Sequence, residues 1–179
     1  MSHVPRRRVP RARIVAAAAV AVTALFGLLG SSAGARGTAH TAATPSCSSS
    51  QLVNWLDTSP NGTAGTIFYE LQFTNLGATC TLRGYPGVSA VTSSGAQIGN
   101  PASRSGTAVK TVTIAPNKSA STMVGFAHTA NFPAAKCKPV TAKGLRVIPP
   151  NQTTSVTIKR KFSACSSKSV TYLTVLPIK

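Results

Sequence analysis

Carboxylates are nearly missing from this chain. Among 179 residues only Asp57 and Glu70 have acidic side chains, against 19 lysines and arginines and a formal net charge of +17. A two-carboxylate acid and base mechanism would need both, with no substitute. Histidine is as scarce: His128 is the only imidazole between residues 47 and 179. A Ser-His-Asp triad would have to use Asp57, His128 and one of many serines. The nearest thing to a nucleophile elbow, Gly87-Val88-Ser89-Ala90-Val91, lacks the second glycine and reads as strand. His128 follows an apolar strand and reads as a surface or hydrogen-bonded structural residue. The phosphate-cradling glycine patterns of P-loops and dinucleotide sites do not occur, so no cofactor is expected. The one tryptophan, Trp55, alternates with Val53 and reads as core filler, with sugar stacking as the alternative.

The N-terminus has what an export signal needs. Arg6, Arg7, Arg8, Arg11 and Arg13 form a basic start, and Ile14 to Leu29 is an uncharged run of Ala, Val and Leu. That run is at the short end of what spans a bilayer, and small residues follow it rather than a stop-transfer cluster. Ala33-Gly34-Ala35 fits the small-x-small cleavage rule, so residues 1–35 are expected to be removed and no stable membrane span to remain. Val9-Pro10 after Arg7-Arg8 favours an ordinary basic start over twin-arginine export. Cys47 lies too far from the apolar run to be a lipid-attachment cysteine. Residues 36–46, rich in Gly, Thr, Ala, Pro and Ser, cannot bury enough apolar area to offset their ordering and read as a flexible linker.

Residues 47–179 read as one domain, with no low-complexity break and no repeat. Nine short stretches rich in β-branched residues carry the period-2 pattern of strands: 51–57, 67–74, 80–82, 88–92, 109–114, 121–127, 145–148, 155–161 and 172–176. Turn chemistry separates them at Pro60-Asn61-Gly62, Ser94-Gly95, Pro116-Asn117 and Pro149-Pro150-Asn151. In the clearest strand Tyr69, Leu71 and Phe73 face a core while Glu70, Gln72 and Thr74 face water. Asn75 and Gly77, residues that tolerate left-handed backbone, are expected to turn the chain before Cys80. No later segment keeps a 3.6-residue period. The expectation is an all-β sandwich of immunoglobulin-like architecture.

The run from Phe68 to Ser89, with its aromatic strand, Thr-Asn-x-Gly, Thr-Cys-Thr-Leu and Gly-Tyr-Pro-Gly-Val, resembles an actinobacterial secreted family called domain of unknown function 4232. The resemblance covers residues 47–179, with further support from Gly144 to Pro150. It implies the same sandwich and an extracytoplasmic compartment, and it implies no activity.

Four cysteines, Cys47, Cys80, Cys137 and Cys165, allow three disulfide connectivities in an exported chain. Register narrows the choice. If Asp57 lies opposite Thr66, Cys47 falls opposite Leu76, close to Cys80, and Glu70 falls opposite Val53, away from Asp57. If Ile148 lies opposite Ser155, Cys137 falls opposite Ser166, next to Cys165. The expected bridges are therefore Cys47–Cys80 and Cys137–Cys165. Their spacing is far wider than the Cys or His pairs of small zinc sites, so no metal is expected.

Charge is the one abundant resource. Without the five signal arginines, 14 basic residues face two acids, a formal +12, and nine of the 14 lie between Lys136 and Lys179. In the later hairpin Lys143 is expected opposite Arg160, which would gather Lys143, Arg146, Lys159, Arg160 and Lys161 into a patch able to attract polyanions. Aromatics near it are limited to Phe162 and Tyr172, without the stacking series of single-strand binders or a recognition helix, so sequence-specific nucleic-acid binding is not expected. The expected function is that of an exported, non-catalytic binding or structural module in the cell envelope or its surroundings, with weak affinity for anionic envelope polymers. The alternatives are a secreted hydrolase and a protein-binding inhibitor or chaperone-like module.

Overall fold

A computed structural model describes residues 43–59 and 61–179. The expected signal peptide at 1–35 and linker residues 36–42 lie outside the described residues. Twelve strands follow in order: β1 (Leu52–Leu56), β2 (Asn61–Thr63), β3 (Thr66–Asn75), β4 (Cys80–Arg83), β5 (Gly87–Val91), β6 (Gln97–Ile98), β7 (Ser103–Arg104), β8 (Thr111–Ile114), β9 (Ser119–Ala127), β10 (Pro139–Ile148), β11 (Val156–Cys165) and β12 (Leu173–Val175). Among the described residues the only α-helical segment is a single turn, α1 (Ala134–Cys137). One sheet runs β1-β3-β9-β12-β7, with β2 also on β3, and a second runs β11-β10-β5-β6, while β4 and β8 pair separately. Nearly all pairings are antiparallel, with β12 and β7 the parallel exception. The inner faces of both sheets supply one core that includes Leu71, Phe73, Val124, Leu145, Val147 and Leu173. This is the all-β sandwich that the alternating pattern implied, with β2, β6 and β7 as short strands the pattern had not marked.

Both disulfides form as register indicated, Cys47–Cys80 and Cys137–Cys165, and no cysteine is free among the described residues. The register of the first hairpin nevertheless differs. Leu56 pairs with Leu71 and Leu52 with Asn75. The cause is β2, which pairs Thr63 with Thr66 and moves the tight turn to Ala64-Gly65, where Gly65 takes φ +85°. Asn61 and Gly62 therefore belong to a strand instead of closing the hairpin.

Two further readings are corrected. Trp55 does not fill the core. It is 42% exposed beside Val53 at 47%, while Leu52 and Leu56 point inward, and its indole N–H donates to Thr74 Oγ1 at 3.3 Å. The segment Leu-Val-Asn-Trp-Leu has apolar residues in both phases, so alternation alone could not choose between them. The turn after β3 exists, but Asn75 and Gly77 are not in the left-handed region. The Asn75 side chain makes the turn instead. Fully buried, it accepts the Gly77 N–H at 2.9 Å and donates to the carbonyls of Ala78 at 2.8 Å and Ile114 at 2.9 Å. Every polar atom of that amide is occupied, two bonds closing the turn and the third tying it to the end of β8. A Cβ at Gly77 would force the Gln51 side chain to shift.

Tyr172 is 1% exposed, and its hydroxyl has no hydrogen-bond partner among the described residues. Burial pushes the phenol well above its usual range. Native and unfolded chains both keep this proton at neutral pH. Above pH 10 the unfolded chain loses it first, so stability falls as pH rises through that region. Tyr172→Phe should raise the unfolding free energy at pH 7 by about 1 kcal/mol, because it removes an unpaired buried hydroxyl. It should also flatten the alkaline decline relative to the parent. Denaturant titrations of both proteins at pH 7 and pH 10.5 check this, and an equal decline in the two would reject the assignment.

Candidate anion-binding surface

The β11 strand builds most of the basic surface. Its alternation turns Thr157, Lys159 and Lys161 fully outward, while Ile158, Arg160 and Phe162 are half-buried on the other side. The partner β10 pairs regularly from Gly144–Lys159 to Val147–Val156 and, in shifted register, from Pro139–Cys165 to Ala142–Phe162. Between these registers β10 has one residue, Lys143, and β11 has two, Arg160 and Lys161. The bulge is thus on β11, with Lys143 facing both of its residues, and such bulges redirect side chains. A cleft of about 540 Å³ results, lined by Lys143, Thr157, Lys159, Arg160 and Lys161, with Thr92 and Ser93 from the end of β5 and the following turn. The structure brings four of the five expected basic residues to this cleft.

Arg146 goes elsewhere. It lies on the outer face opposite Thr157 and Ser89, and its guanidinium donates to Gln97 Oε1 at 2.6 Å. Gly144, beside it, cannot be enlarged, since a Cβ would stand 2.8 Å from Thr157 Cγ2 and 3.2 Å from Val91 Cγ2. Arg160 has a second environment. Its Cζ lies 4.2 Å from the centroid of the Tyr69 ring, so the strand's half-buried side holds a cation on an aromatic face. Period-2 alternation places Arg160 with Ile158 and Phe162 and could have marked it as different from its lysine neighbours. Thr92 and Ser93 gave no comparable signal.

Neither acidic side chain reaches this surface. Contrary to the expected register, Asp57 and Glu70 are neighbours across the sheet, the Asp57 N–H donating to the Glu70 carbonyl at 2.8 Å. Their carboxylates are separately engaged. Glu70 Oε1 accepts Ser121 Oγ at 2.6 Å and faces Lys179 Nζ at 3.8 Å, whereas Asp57 Oδ1 accepts the Ser59 N–H at 2.9 Å. The cleft cations therefore have no internal side-chain counter-ion, and their fields add. His128 is exposed at the end of β9, its backbone N–H bonded to Gly65 O at 2.9 Å.

The family motifs are likewise accounted for by structure. Tyr85 donates its hydroxyl to Gly106 O, Pro86 is buried, and Gly84 accepts the Ile178 N–H at 2.9 Å. Fold and surface together define a class of small β-sandwich domains braced by disulfides, whose recognisable motifs serve turns and bridges. Within that class, the chain belongs to the family described as a domain of unknown function (DUF4232), which matches residues 47–179. Comparison with curated proteins and with solved structures returns no match. Among the described residues no helix is long and apolar enough to cross a membrane, and two disulfides fit an oxidising compartment.

Proposed function

We propose that the domain is exported and works in the cell envelope or its surroundings as a non-catalytic binding or structural module that holds anionic polymers in its basic cleft. One observation supports this above the others: Lys143, Lys159, Arg160 and Lys161 meet at one cleft, while both carboxylates are engaged on the other sheet. Repeating anions, such as wall polymers or acidic polysaccharides, are the extracytoplasmic ligands that match such a field. The basic N-terminus with its apolar run and the two bridges support export. A second role competes for the same lysines. The β11 strand is an edge of its sheet, and lysines on an edge discourage pairing with another chain. Guarding an edge requires no ligand, whereas retention of a polymer must respond to salt.

The test is sedimentation of the purified mature protein with isolated envelope, and its affinity for a soluble anionic polymer, between 0.01 M and 0.15 M salt. Over that range the Debye length falls from about 30 Å to about 8 Å. Binding should weaken steeply, and the variant with Lys143, Lys159, Arg160 and Lys161 changed to glutamine should lower the log–log salt slope by roughly 3, as for a polyanion of nucleic-acid charge density. Changing Arg83, Lys110 and Lys118, all exposed, should have a much smaller effect. Equal losses in both variants would mean that net charge alone attracts the polymer. Absence of binding at low salt would leave edge protection and solubility as the cleft's role. Turnover of ester, peptide or glycoside substrates that disappears on changing His128 would overturn the non-catalytic reading.

A further inference from the structure

Next to the basic cleft, on the other side of Arg160, a separate cavity of about 180 Å³ opens between the two sheets. Its walls are Ile67 and Tyr69 from β3, Phe126 from β9 and Phe162 from β11, with Arg160 and His128 at the rim. The rings are held edge to face: Tyr69 and Phe126 have centroids 5.3 Å apart at 84°, and Phe126 and Phe162 are 5.1 Å apart at 89°. The rim is fixed as well. The 3-10 turn Thr129–Asn131 is tied to the β2–β3 turn by Asn131 Nδ2, which donates to Gly65 O at 2.7 Å, and to β11 by a 2.9 Å hydrogen bond between the Thr129 and Ser163 hydroxyls. Walls from both sheets and a tied rim make a preformed site, the kind that costs little to order on binding.

The geometry points to a binding site for a small carboxylate on an apolar body about the size of one benzene ring. Size limits the body, since an apolar cavity of about 150 Å³ is enough to hold benzene. Aromatic walls favour a flat ring. Arg160 fixes the charge. The guanidinium sits 4.2 Å from the Tyr69 ring centroid and makes no side-chain hydrogen bond or ion pair among the described residues, so its N–H fork is free for a bidentate carboxylate. Asp57 and Glu70 are engaged elsewhere, so neither supplies that anion from within. This inference does not depend on polymer binding by the cleft, although Arg160 borders both.

Benzoate, acetate and benzyl alcohol, titrated into the purified chain at one ionic strength and followed by NMR, separate the contributions of charge and ring. Benzoate should saturate and shift the ring resonances of Tyr69, Phe126 and Phe162, with acetate and benzyl alcohol each binding at least about tenfold more weakly. Arg160→Gln should bring benzoate down to the level of benzyl alcohol and leave benzyl alcohol unchanged. Arg160→Lys, which keeps the charge and loses the fork, should fall between, and Lys110→Gln should match the parent. The proposal is overturned if benzoate shifts only Lys159 and Lys161, if acetate binds as well as benzoate, or if correctly folded Arg160→Lys and Arg160→Gln variants bind benzoate like the parent.

Discussion

Replacing Cys137 and Cys165 together with alanine should cost the domain about 3 to 4 kcal/mol. The bridge closes a loop of 28 residues, and the chain-entropy relation gives a value in this range for such a loop. Both sulfurs are fully buried, and the linkage ties the single turn α1 to the end of β11, where Pro139 pairs with Cys165. For a domain of this length the loss corresponds to roughly 10 to 20 °C in melting temperature. Cys47–Cys80, at a separation of 33, should contribute as much or slightly more, because the loop term grows only logarithmically with length. A domain of this kind has about 5 to 15 kcal/mol in total, so either bridge alone can be dispensable while loss of both leaves little margin. Denaturant unfolding of the two double-alanine variants measures this. A cost below about 1 kcal/mol would show that the unbridged chain is already restrained by other contacts.

Gly99→Ala should be almost as damaging for a different reason. Gly99 follows β6 at φ +65°, a region that side chains tolerate poorly, and an added Cβ would collide with the carbonyl oxygen of Cys165, a backbone atom that cannot swing aside. The combined cost should be about 3 kcal/mol or more. Gly84 and Gly95 provide the comparison. They also have positive φ, at +105° and +83°, but nothing lies within 4 Å of the added carbon, so their alanine variants should lose only the backbone term of about 1 to 2 kcal/mol. Since the obstructing carbonyl belongs to a bridged residue, the Gly99 and Cys137–Cys165 changes should couple. In the unbridged background the penalty of Gly99→Ala should shrink, and a double-mutant cycle measures that coupling. Equal alanine costs at Gly99, Gly84 and Gly95 would show that the collision is relieved at no cost.

What could be read from the residues, and what could not, follows from where each signal resides. Tyr69, Leu71 and Phe73 form a strand whose phase is unambiguous, and they point inward as read. Leu52 to Leu56 lacks that clarity, and Trp55 was assigned to the wrong side. The bridges were legible despite a mistaken first register, because approximate antiparallel pairing is enough to bring Cys47 near Cys80. The same mistake separated Asp57 from Glu70, whose backbones in fact pair. Contiguous Lys159, Arg160 and Lys161 announced a basic surface. The Tyr69, Phe126 and Phe162 cavity did not announce itself, since its walls come from three strands far apart in sequence and only the assembled sandwich brings them together.

The position of β12 bears on when this chain can become native. It lies inside its sheet, between β9 and β7, while Ile178 donates its N–H to Gly84 O and the Lys179 backbone exchanges two hydrogen bonds with Ser121. A chain emerging N-terminus first therefore presents β9 and β7 without the strand that joins them. Residues 173–179 act as a late keystone, and contacts this distant in sequence form slowly. Until these residues have emerged from the ribosome, β9 and β7 lack the strand that joins them into one sheet.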